Sequence, residues 1–291
     1  MASMRDIKRR KSSIQSTQQI TKAMKLVSTV KLQRSKSHAE EAKPYFKCMF
    51  DTVNSVLERT GNIDHPYLKP GESGKKAVVV ITSNRGLAGG YNSNIVKLVE
   101  KNEEFQKDDL RIYAIGKKGR DTLARHGYEV DEEDINEIME APTYVEAMKL
   151  TERLLADFAE GKICEIYLAY TSFKNTVSHV PTLLKLLPVD VDKEEGEDKE
   201  ETSGPQAIMN FEPAEEEALN LIIPKYITSL IYGALIEAVA SENGARMQAM
   251  DSATSNAEEM IEDLSLKYNR ARQGSITQEL TEIIAGAEAI S

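Results

Sequence analysis

The chain has 291 residues, a formal net charge of −10, two cysteines, no tryptophan and an aromatic fraction of 6%. That length supports one or two domains with a sizeable core. Two cysteines do not make a disulfide framework, and Cys48 and Cys164 match no metal or redox spacing, so a reducing compartment is the expected setting.

The charge is unevenly placed. Before residue 37 ten lysines and arginines face Asp6 alone, whereas Asp190 to Glu201 carries eight acids against Lys193 and Lys199. The basic, serine-rich N-terminus has the composition of an organellar transit peptide. Its clusters also resemble those with which a helix neutralises nucleic-acid phosphates. Gln15, Gln18, Gln19, Met24 and Leu26 are interleaved with them and no aromatic platform is present, which favours acidic protein surfaces as the partner.

In chain order, Asp6 to Leu57 predicts a long helix with a stripe of Ile7, Ile14, Ile20, Met24, Val27 and Val30, then Tyr45, Met49, Val53 and Val56. Pro44 predicts a kink or a break. Gly61 to Gly74 reads as a loop. From Lys75 the texture changes, and Ala77–Ile81 is the apolar run of a strand covered on both faces. Helices are predicted over Asn92–Glu104, Lys117–His126 and Tyr144–Glu160, and strands over Leu110–Ile115 and Ile163–Thr171. Val180–Val189 is extended, with Pro181 and Pro188 suiting a sheet edge. Strands alternating with helices imply a small α/β domain with a mostly parallel sheet.

The acidic segment 190–204 reads as a solvated loop. Phe211 to Leu221 opens a terminal helix that runs on past Pro224, with Ala253, Ala257, Met260, Ile261 and Leu264, and later Ile276, Leu280, Ile283, Ala287 and Ile290, at helical spacing. From Pro224 onwards that helix would extend roughly 100 Å. A compact chain of this length is about 50 Å across, so the helix is expected to project. The expected fold is α+β/α: a long antiparallel two-helix coiled coil made from both chain termini (1–60 and 207–291). A small Rossmann-like α/β domain (75–190) and an acidic loop (190–206) are inserted between them. The most apolar window, Tyr226–Ile236, is about 11 residues long where a bilayer span needs about 20.

Thr82 to Asn92 follows a predicted strand and precedes a helix, where a phosphate loop would sit, yet neither the dinucleotide fingerprint nor a P-loop is present. A tight strand-to-helix turn is the plainer reading. His38, His65, His126 and His179 are scattered, and no catalytic, cofactor or metal constellation can be assembled.

Several stretches carry a family resemblance: Arg5-Asp6-Ile7, Thr17 to Met24, Thr82 to Asn92, Ala240 to Met247, and Tyr268 to Leu280. Together they resemble the gamma subunit of F-type ATP synthase over essentially the whole chain. The resemblance implies a rotor shaft without catalytic residues, cofactor or metal of its own. Its terminal helices would enter the hexamer of alpha and beta subunits, and its α/β domain would contact the epsilon subunit and the c-ring. It implies hexamer contacts at Met24, Lys25 and Arg246, and further along at Arg272, Gln273, Thr277 and Glu279. It also implies no nucleic-acid partner, no direct membrane insertion, and a peripheral place on the cytoplasmic face of a bacterial membrane. With the family motif starting at residue 5, the resemblance leads to the expectation of a bacterial chain without a cleavable presequence. Ala88 stands where many relatives carry Cys, and the acidic segment lacks the cysteine pair of chloroplast members.

Overall fold

The computed structural model describes residues 4–60, 65–71, 73–131, 136–189 and 215–288. They form two units, one of Met1–Val30 with Arg246–Ser291 and the other of Lys31–Ala245. The predicted acidic loop, the first residues of the predicted terminal helix, and Ile290 lie outside the described residues.

In the second unit β1 (Lys75–Ile81) lies at the centre of a five-stranded sheet. It pairs in parallel with β2 (Leu110–Ile115) on one side and β4 (Ile163–Phe173) on the other. β3 (Glu129–Val130) extends the parallel set beyond β2, and β5 (His179–Leu187) closes the other edge antiparallel to β4. The apolar run Ala77–Ile81 is fully buried because both faces are covered, as predicted. Val78 and Val80 meet α2 (Tyr91–Glu100) and α3 (Lys117–Arg125) through Ile95, Val99 and Leu123. Val79 and Ile81 face α4 (Tyr144–Ala159) and both long helices, through Leu154, Val53, Ile227 and Leu235.

Local chemistry sets several boundaries. Thr143 caps α4 in a reciprocal box with Glu146. The helix expected to reach Glu104 ends at Glu100, because the Asn102 side chain accepts the Glu104 amide and closes a turn. The supposed loop 61–74 holds a short 3-10 turn, Pro66–Leu68, pinned by the fully buried His65. Its Nδ1 accepts from Tyr67 N and its Nε2 faces Asn220 Oδ1 at 3.2 Å. The two-residue β3 carries no readable alternation. On the α4 face of the sheet Tyr113 donates to Asp157 at 2.7 Å. Burial alone would raise the Asp157 carboxyl, but hydrogen bonds from Tyr113 and Lys162 outweigh it and hold the pKa below its ordinary value.

The helix α1 spans Met4–Thr60 without a break at Pro44, and α5 spans Glu215–Glu288 with Pro224 inside it. A stretch of α5 is long and apolar enough by composition to cross a bilayer, wider than the window read from the sequence. Ile223, Ile227, Ile231 and Leu235 in it are fully buried against the sheet, as in a core helix.

In the first unit the two helices pair in opposite directions: Gln18 bonds Glu258, Thr21 meets Thr254, and Lys25 meets Asp251. The face of α1 turned inward is Ile7, Lys11, Ile14, Gln18, Thr21, Lys25 and Ser28, and that of α5 is Met250, Thr254, Ala257, Ile261, Leu264, Tyr268 and Ala271. Both alternate by four and three residues. The stripe predicted for α1 is therefore corrected. Ile20, Val27 and Val30 are 54–60% exposed, and on α5 Met260 is exposed too. The reason is the six-residue step from Ile14 to Ile20, which joins two stripes of different phase. Ile7 and Ile14 continue as Thr21 and Ser28, whereas Ile20, Met24 and Val27 begin a second stripe beside it.

The corrected face makes a test. Leu264→Ala should cost about 2 kcal/mol, whereas Leu266→Ala, on the 61% exposed side, should stay within roughly 0.5 kcal/mol. Equal costs in denaturant unfolding would reverse the assignment.

Candidate partner-contact surface

All seven residues singled out from the sequence lie in the first unit. Met24 is half-buried beside the inner face of α1, and Lys25 Nζ reaches Asp251 Oδ1 at 2.5 Å. The Lys25 and Asp251 side chains are 39% and 56% exposed, so this pair contributes at most about 1 kcal/mol. Beneath it the buried Thr21 and Thr254 hydroxyls lie 2.8 Å apart. Arg246 is half-buried on α5, five positions before Asp251.

Arg272, Gln273, Thr277 and Glu279 are exposed. Their bonds run within the helix: Thr277 Oγ1 donates to Gln273 O, and Ser275 Oγ to Glu279 Oε1. From Ile276 to Ala287 every position is exposed, including Ile276, Leu280, Ile283 and Ile284. Isoleucines and leucines at that density make an exposed apolar surface larger than scattered surface residues would give. The exposed Ile20, Leu26, Val27 and Val30 form a like surface on α1 around Met24 and Lys25. Sequence reading missed it by assigning that stripe to the helix pair, although the phase change after Ile14 is visible in the spacing.

The loop after β1 is tied to its own fold. Thr82 Oγ1 accepts the Gly119 amide at 2.9 Å, the Lys118 amide donates to Ser83 O, and the Lys117 amide to Asn84 Oδ1. The loop is thereby laced to the start of α3, and its own Ser83 and Tyr91 amides donate to Asn92 Oδ1 and Ala88 O, as in a tight turn. Gly116 is required here, since its φ is +97° and a Cβ would lie 2.0 Å from Thr82 O.

The crevice between the carboxyl ends of β1 and β4 is filled by α5. Tyr91 Oη donates to Ala238 O, Ser241 Oγ to Thr171 O, and the Phe173 amide to Glu237 Oε2. One turn on, Gly244 lies against the His179 ring of β5. Among the described residues no group of three or more His, Cys, Asp or Glu is placed to hold a metal ion.

The sequence pattern of the family described as ATP synthase matches residues 3–290. The chain is 67% identical to an ATP synthase gamma chain of Lachnoclostridium phytofermentans, over the whole of both chains. It belongs to the gamma subunit family of F-type ATP synthases. Another gamma-family relative, 41% identical and covering 99% of each chain, is the sodium ion specific ATP synthase gamma chain of Acetobacterium woodii. Two solved structures share the gamma fold. A chain from the OSCP/F1/c-ring structure of Euglena gracilis mitochondrial ATP synthase has a TM-score of 0.65 at 18% identity, over 99% of this chain and 94% of that one. One from the central stalk/c-ring structure of the Tetrahymena thermophila mitochondrial enzyme has a TM-score of 0.56 at 24% identity, over 80% and 99%.

The gamma-family stretches fall into two structural groups. Thr17 to Met24 and Tyr268 to Leu280 lie on the first unit's helices, and Ala240 to Ala245 faces the sheet, where Ser241 and Gly244 are buried. That second role was not read from the sequence. Its signal was the spacing Glu237, Ser241, Gly244 along one face of α5. Ala88 is itself buried at the start of the crevice, 2% exposed.

Two tests follow from the His179 contact. A Cβ on Gly244 would lie 2.5 Å from His179 Nε2, so Gly244→Ala should cost about 1–3 kcal/mol by overpacking. In a His179→Ala background the same change should be neutral or stabilising, because alanine is the better helix former. Burial also holds the His179 imidazole below its ordinary pKa of 6.5. As pH falls through that value the unfolded chain takes up the proton first, so the stability this group contributes falls from pH 7 towards pH 5. Thermal melts should show a shallower decline for His179→Gln.

Proposed function

We propose that the protein is the central-stalk rotor shaft of a bacterial F-type ATP synthase, coupling rotation of a membrane c-ring to the catalytic sites on beta subunits. The observation that carries this reading is the bare end of α5, where exposed Ile276, Leu280, Ile283 and Ile284 accompany Arg272, Gln273, Thr277 and Glu279. Such a surface is stable only when other chains receive it.

On this reading residues 1–60 and 207–291 form an antiparallel coiled coil, supported by the four-and-three alternation of both inner faces. Residues 75–190 form a Rossmann-like foot, supported by the strand order β3-β2-β1-β4, with 190–206 as a loop upon it. The foot meets the epsilon subunit and the c-ring. Met24, Lys25 and Arg246 meet the lower part of the alpha/beta hexamer, and the four residues of the α5 end meet it further along. The exposed arginines suit this role because a planar guanidinium engages carboxylates in pairs. Rotation changes nucleotide affinity because an asymmetric shaft touches each beta subunit differently.

The chain is then a coupling subunit without a catalytic residue, cofactor or metal. It binds no nucleic acid, does not enter the bilayer, and sits peripherally on the cytoplasmic face of the membrane. The driving ion is a proton or sodium.

Co-expression with alpha and beta subunits tests the reading: recovery of one assembled complex is expected, and separate elution would sink it. Within that complex Arg272→Ala with Gln273→Ala should lower turnover or coupling several-fold while leaving the melting temperature of the chain unchanged. Unaltered rates would remove both from the contact surface.

A further inference from the structure

We propose that the crevice at the carboxyl ends of β1 and β4 is a socket that fixes α5 against twist relative to the sheet, with Glu237 and Ser241 as its torque-bearing side chains. This deepens the rotor reading above and rests on it.

In open α/β sheets this position, where the connections leave β1 to one side and β4 to the other, is where ligands enter. Here it is occupied by the chain's own helix. The contacts come from several elements: Tyr91 at the start of α2 holds Ala238 O, and β4 is held twice, Thr171 O by Ser241 and the Phe173 amide by Glu237. His179 of β5 packs against Gly244. Glu237, Ser241 and Gly244 lie on one face of α5 over two turns.

Below this level α5 is held chiefly by apolar side chains from Leu219 to Leu235, with one polar contact, His65 Nε2 to Asn220 Oδ1 at 3.2 Å. The hydrophobic effect is itself non-directional and sets no bond angle. Hydrogen bonds weaken steeply as their angles open, so bonds reaching α5 from different elements oppose twist in either sense. Ser241 is fully buried and Thr171 is 2% exposed, so solvent cannot substitute for that bond when it is strained. The socket also stands at the last residues of the second unit, which ends at Ala245. Torque passing along α5 from the foot leaves the sheet there.

The test uses the assembled complex in membrane vesicles and reads ions moved per ATP hydrolysed. Glu237→Ala with Ser241→Ala should lower that ratio at least threefold. Glu237→Gln alone, which keeps an acceptor oxygen for the Phe173 amide and leaves Ser241 in place, should hold the ratio near the wild-type value. A socket that served stability alone would lower the melting temperature and the yield of complex, yet leave the ratio at the wild-type value in complexes that form; that result overturns the proposal. Should the double variant not assemble, Ser241→Ala alone decides by the same ratio. Failure of the unsubstituted chain to join alpha and beta subunits would instead overturn the rotor reading.

Discussion

Burial of one face of α5 against the sheet is the interaction on which the second unit depends. Leu219, Ile223, Ile227, Ile231 and Leu235 are at most 1% exposed, and each such side chain contributes on the order of 1.5–3 kcal/mol relative to solvent. That burial explains why a helix with obvious defects persists. Pro224 withholds one helical hydrogen bond and costs about 3 kcal/mol, and Gly233 costs about 1 kcal/mol more. Gly233 is also where the Phe46 ring of α1 approaches, within 3.2 Å of a Cβ built there. The defect and the contact are the same feature. Pro44 in α1 is accommodated likewise, in a helix whose Val53 and Val56 are anchored in the same core.

This bears on what was legible in the sequence. The strands were readable because a sheet covered on both faces needs apolar runs, and Ala77–Ile81, uninterrupted, and Leu110–Ile115, broken only by Arg111, supply them. The order of strands and helices was readable for the same reason. Pro44 was less so: local propensity predicts a kink or a break, whereas α1 runs on through it. The phase of the α1 stripe was misread because the inner face is polar where it matters. Thr21 and Ser28 continue the line of Ile7 and Ile14, while the apolar Ile20, Val27 and Val30 look outward. A rule that equates apolar with inward fails on such a helix.

The polar stretch of the helix pair has its own physical sense. Around Thr21 and Thr254 each hydroxyl also bonds a carbonyl of its own helix, to Gln18 O and Met250 O. Two protons therefore serve three contacts, and the layer holds only when the hydroxyls face each other. An apolar layer tolerates a shift along the helices, whereas buried hydroxyls displaced by one turn lose their mates. Polar residues at such positions fix register at some expense of stability. For the residues of α1 and α5 that make up the candidate surface, a fixed register is what keeps Met24, Lys25 and Asp251 at one level.

The crevice between β1 and β4 joins these points. A sheet of this strand order presents an open groove there, and the turn after β1 is laced to the start of α3, whose Lys117, Lys118 and Gly119 amides are bound to Asn84, Ser83 and Thr82. The groove is filled by Ala238 and Ser241, both fully buried. A fold suited to holding a small ligand thus holds a helix instead, and the glycines that would let a ligand approach serve close packing: Gly116 and Gly119 against Thr82, and Gly244 against His179. The turn after β1 is committed to the fold in the same way: it accepts the first amides of α3, and Ser83 and Asn92 bond each other across it.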